Sequence, residues 1–150
     1  SEGSRYIEGG EVQYMFTFIN SCGIAYRFDH LHTLSEKFQS LADQLPEAKV
    51  DDSRTTPFNP PVKVTKGESV ATKIGFVNTK NVGVDFGVYD LRSPNEASKN
   101  TSFAQNHENE KQLAFYGICW LKEYPSEKSQ KLLAFPGGDS VSGKTSDYCI

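Results

Sequence analysis

Val12-Gln13-Tyr14-Met15-Phe16-Thr17-Phe18-Ile19, then Asn20-Ser21-Cys22-Gly23, then Ile24-Ala25-Tyr26-Arg27-Phe28-Asp29-His30 is the run that sets the fold class. Side chains alternate across a strand, so Val12, Tyr14, Phe16 and Phe18 share one face. The Asn, Ser and Gly that follow supply a turn, and the second aromatic run returns as the partner strand of a hairpin.

Beyond the hairpin, Thr33-Leu34-Ser35-Glu36 has the form of a capping box. Leu34, Phe38, Leu41 and Leu45 recur at helical spacing before Pro46, which predicts one inserted helix. Residues 49–61 read as a polar, proline-bearing loop, and residues 62–70 as strand, turn, strand. Residues 82–90 predict another strand, with Val82, Val84, Phe86 and Val88 toward a core and Gly83, Asp85, Gly87 and Tyr89 on the other face. Two glycines flanking an acid leave room there for a close backbone, a ligand or a neighbouring side chain. A polar excursion over residues 91–112 leads to a further strand at 112–121. Residues 126–133 form a short helix with Ser126 as its N-cap. The chain reads as mostly β and as one domain over residues 1–150.

Composition agrees. Ten Phe and seven Tyr against one Met, in 150 residues, suit pleated surfaces better than helix bundles. A net charge of −3 offers no basic field for nucleic acid. No run of about 18 apolar residues is present to span a bilayer. The opening Ser1-Glu2-Gly3-Ser4 reads as a cut edge rather than a signal peptide. The three cysteines, Cys22, Cys119 and Cys149, include no Cys-x-x-Cys pair, which rules out a zinc ribbon. Cys149, next to the last residue, is a strange place for a core thiol. A Cys119–Cys149 bridge pinning the tail is therefore expected, with Cys22 left over. Such a bridge belongs to an oxidising compartment, so an extracytoplasmic location, periplasmic or secreted, is expected.

Several motifs carry chemistry on paper. Gly138-Asp139-Ser140-Val141-Ser142-Gly143-Lys144-Thr145 matches the Walker A pattern. That loop holds phosphates at the N-terminus of a following helix, and five remaining residues leave at most one turn, so no nucleotide binding is expected. His30-Leu31-His32 places two imidazoles at i, i+2, where on a strand they point the same way and can share a metal. They are equally two polar residues at a strand end, with His32 joining the turn into the helix. Asp85 needs a partner or a metal if buried and neither if its face meets solvent. His107 and Glu110 read as solvated loop residues. Asn100-Thr101-Ser102 has the form of a glycosylation acceptor, relevant to a eukaryotic source.

The order of Phe28-Asp29-His30-Leu31, a helical insert, Val62-Lys63-Val64-Thr65-Lys66-Gly67-Glu68-Ser69-Val70 and a closing Gly83-Val84-Asp85-Phe86-Gly87-Val88 strand resembles the lysostaphin-type (LytM-like) zinc endopeptidases of bacterial cell walls. The resemblance spans residues 10–92 and implies a β-sandwich, the duplicated hybrid motif or barrel-sandwich hybrid, with residues 93–150 as a C-terminal extension packing on it. The family holds zinc with an upstream His-x-x-x-Asp motif and the second His of a final His-x-His. No His-x-x-x-Asp occurs in this chain, and Gly83 and Asp85 stand where the final histidines would be. His30 alone is retained, at the position of a histidine that assists catalysis. The resemblance therefore implies a degenerate relative without the zinc site, a non-catalytic binding or structural domain contacting cell-envelope glycan or peptide. Two alternatives stand beside it: a divergent zinc metallohydrolase using His30, His32 and Asp85, and a carrier- or lectin-like β module.

Overall fold

The computed structural model describes residues 1–134 and Cys149. The Walker-like motif at 138–145 lies outside the described residues. The protein is mostly β, built on a six-stranded antiparallel sheet with a few short helices. Tertiary contacts divide it into two compact units. The first is Ser1–Ile19 with Tyr26–Phe86, and the second is Asn20–Ala25 with the chain from Gly87 onward.

The expected hairpin is present as β2 (Glu11–Ile19) and β3 (Ile24–Leu34). Ahead of it stands a strand that the reading of Ser1–Ser4 as an edge missed, β1 (Glu2–Glu8), which pairs antiparallel with β2 from Glu2↔Thr17 to Glu8↔Glu11. Gly9 and Gly10, at φ 59 and 77, form the two-residue loop between them, a backbone conformation that suits the twist of a hairpin and favours glycine. Two-residue β4 (Thr56–Pro57) adds beside β1, and β5 (Ala71–Ile74) adds beside β3. The sheet order is β4-β1-β2-β3-β5, with β6 (Asp85–Asp90) also paired to β3.

The core of the first unit gathers Phe16, Phe18 and Leu31 from the sheet with Leu34, Phe38, Ala42 and Leu45. Phe38 presents its edge to Phe16 and Phe18, with ring centroids 5.2 and 5.9 Å apart, the arrangement that ring quadrupoles favour. Val12, on the same strand face, remains exposed. The helix α1 (Glu36–Ala42) is shorter than its apolar spacing predicts. Thr33 and Leu34 belong to β3, where Thr33 pairs with Lys73. Ser35 donates its N–H to Val70 and its hydroxyl to Ser69, so the capping box does not form. Leu34 and Leu45 still reach the core, one from a strand and one from beyond the helix end.

Residues 62–70 carry no strand, and pairing begins at Ala71. Residues 82–84 likewise lie outside β6, with Val82 80% and Val84 44% exposed, against the expected core face. They lie beyond the paired part of the strand, where alternation has no sheet to act on.

In the second unit, the supposed strand at 112–121 is mostly helical turn. Lys111–Ala114 is a helix and Trp120–Glu123 a 3₁₀ turn, with only the segment around Gly117 bridging Tyr89. The excursion after Leu91 is folded. A helix, Thr101–Asn106, is capped by the Asn100 side chain, which accepts from the N–H groups of Ser102 and Phe103. Ala97, Phe103 and Ala114 form a small core that Phe115 joins. Cys119 and Cys149 are joined by a disulfide, and Cys22 is an exposed free thiol. The helix Ser126–Leu133 follows Pro125 as its N-cap, in place of Ser126. Among the described residues no helix is long and apolar enough to cross a membrane.

Candidate functional site

His30-Leu31-His32 lies inside β3, which runs on to Leu34, and not at a strand end. Phe28 and Leu31 pack against the same core although an odd number of steps separates them on the strand. His30 sits in the left-handed region, at φ 55, and the pairing of β3 with β5 is irregular from Leu31 to Leu34. Asp29, His30 and His32 meet side chains of β1 and β2.

Two carboxylates organise this polar cluster. Asp29 is buried; its Oδ1 accepts from the Tyr6 hydroxyl at 2.5 Å and from the His30 N–H at 2.8 Å, and its Oδ2 accepts from Arg27 at 2.9 Å. Burial, then the hydrogen bond and negative charge of Asp29, push the Tyr6 phenol far above its ordinary range. The Glu11 side chain is only 7% exposed. Its two oxygens accept the backbone N–H groups of Val77 at 3.0 Å and Asn78 at 2.6 Å, while His32 Nε2 stands 3.4 Å from Oε2. Glu8, opposite Glu11 across the Gly-Gly turn, lies 3.9 Å from His30 Nδ1.

The cluster holds a small hairpin in place. Gly75 donates its N–H to the His30 carbonyl at 2.7 Å and accepts from Gln13 Nε2 at 3.3 Å. Phe76 and Asn81 exchange backbone hydrogen bonds, and the Phe76 ring lies 5.1 Å from the His30 ring. Gly75, at φ 77, is packed so closely that an added Cβ would overlap the Asn81 carbonyl and the Gly83 amide. Between this hairpin and β5 runs an open groove with Ala71, Ile74, Phe76, Val77 and Val82 on its walls. Lys73 and Lys80 line it as well, and both are exposed.

Asp85 does not join the histidines in a ligand group. It is exposed at the start of β6, and among the described residues no three His, Cys, Asp or Glu side chains are grouped to hold a metal ion. His107 is buried at the end of the Thr101–Asn106 helix with its ring 4.5 Å from that of Phe103, so it is no solvated loop residue. The space made by Gly87 is taken by a neighbouring side chain, since a Cβ there would overlap the Tyr89 phenol. Tyr6, Glu8 and Glu11 were missed as site residues. The signal was Glu8-Gly9-Gly10-Glu11, because a two-residue hairpin loop sets the flanking residues opposite one another.

The chain matches no family model, no curated protein and no solved structure.

Proposed function

We propose that this chain is a non-catalytic, extracytoplasmic binding domain, related to the cell-wall endopeptidases, that contacts glycan or peptide of the cell envelope. The observation that carries the loss of catalysis is the engagement of the cluster's carboxylates. Both oxygens of Glu11 and both of Asp29 already accept hydrogen bonds from the protein itself. A hydrolytic zinc site needs about three protein ligands and an open position for water. Here His32 faces the Glu11 carboxylate that fastens a hairpin, His30 faces Glu8, and Asp85 stands exposed on another strand. The ligand class comes from the sequence resemblance, and the Cys119–Cys149 disulfide supports an oxidising compartment.

Cosedimentation with purified peptidoglycan sacculi in zinc-containing buffer tests this reading. The expected result is saturable binding with no soluble fragments released. Fragment release that disappears in His30→Ala would replace it with the divergent zinc hydrolase, and absence of binding would remove the envelope polymer as ligand.

A further inference from the structure

The groove beside β5 differs in kind from the polar cluster behind it. β5 is the outermost strand of the sheet path, and among the described residues no strand lies beyond it. An edge strand keeps one row of backbone N–H and C=O groups available for pairing. Along this edge the groove is walled by apolar side chains, including Val82 and the 53%-exposed Val77. We propose that the β5 edge and the 75–82 hairpin receive an extended segment of a partner protein, which adds as a strand and carries acidic side chains toward Lys73 and Lys80.

Three observations select this occupant. Apolar walls beside free backbone groups suit a polypeptide in extended form, whose main chain pairs with the edge and whose alternate side chains enter the groove. The second observation is charge. The chain is net negative, yet the ionisable side chains lining the groove are Lys73 and Lys80, so an acidic strand is attracted locally. The third excludes self-association. A second copy pairing edge to edge would bring its own Lys73 and Lys80 toward the same groove, the like-charge arrangement that keeps edge strands from joining. The receiving surface is also built to stay in place, because Glu11, Gln13 and His30 fasten the hairpin that forms its outer wall.

The test uses the full chain, labelled with ¹⁵N, and blocked heptapeptides alternating glutamate with valine or lysine with valine. The glutamate peptide is expected to give saturable amide shifts confined to residues 71–82, with affinity reduced about tenfold in the doubly substituted Lys73→Glu, Lys80→Glu chain. A version with proline at alternate positions, which removes the pairing N–H groups, is expected not to bind. Lys73 and Lys80 are exposed, and an unchanged spectrum outside 71–82 verifies that the double variant folds. Equal binding of the lysine peptide, retained binding of the proline version, or shifts outside 71–82 would overturn the proposal. Soluble peptidoglycan fragments that shift the same 71–82 amides would overturn it too, replacing a protein strand by an envelope polymer in this groove. Failure here leaves the sacculus result unchanged, since that assay does not depend on the β5 edge.

Discussion

Glu11 fastens a hairpin with one carboxylate, through two backbone N–H groups. Charge-assisted hydrogen bonds of this kind contribute about 1.5–3 kcal/mol each, and part of that is kept when the acceptor becomes neutral. Glu11→Gln is expected to lower stability in urea by about 2 kcal/mol. Hydrogen exchange should speed up first at Val77 and Asn78, and a uniform rise across the sheet would contradict the assignment. Tyr6 gives the pH dependence. Its phenol is raised above the ordinary value of 10.0 by burial and by Asp29, so the folded state holds its proton where the unfolded chain would release it. The stabilisation is fully present below pH 10 and is lost as pH rises above it. Ultraviolet titration should show a tyrosine that stays un-ionised until the protein unfolds, and Tyr6→Phe should remove that delayed step.

Elements show where sequence pattern stops being informative. The β2–β3 hairpin was legible because aromatic side chains alternate around a turn that Asn20 stabilises, accepting the N–H groups of Cys22 and Ile24 at its Oδ1. Strand β1 was not, because Glu2-Gly3-Ser4-Arg5 has little intrinsic strand preference and becomes a strand only by pairing with β2. A Cβ added at Gly3 would crowd the rings of Phe16 and Phe58. The helix failed in length for the same kind of reason. Spacing foretold which residues would be buried, but Ser35 and Thr33 found tertiary partners in the 69–73 segment that a local capping rule cannot foresee. At this scale the sharpest prediction concerns Gly75. Gly75→Ala should collapse the exchange protection of the 76–81 hairpin while the Phe16–Phe38 core keeps its near-ultraviolet signal. Retained protection at Phe76 and Asn81 would show that the close packing at Gly75 is not what holds the hairpin.

Across the whole molecule, the mostly-β class and the Cys119–Cys149 bridge were readable from composition and cysteine placement. The division of contacts into two units was not, because the second recruits Asn20–Ala25 from the middle of the hairpin. The candidate site was half legible. His30 and His32 stood out, whereas Glu11 lies on the strand face opposite the aromatic stripe, where alternation gives no reason to bury an acid. The bridge closes a loop with a sequence separation of 30, for which chain entropy predicts about 3–4 kcal/mol of stabilisation. Reduction should therefore lower the thermal midpoint markedly, and mapping without reduction should recover Cys119 and Cys149 linked with Cys22 free.

On the proposed function, His30 and His32 serve a structural polar cluster in place of a zinc centre. Metal analysis by mass spectrometry, on protein purified without chelator and dialysed against trace zinc, tests it most directly. Zinc well below one atom per chain, unchanged by His30→Ala or Asp85→Ala, is the predicted result. One zinc per chain, lost in both variants, would contradict it.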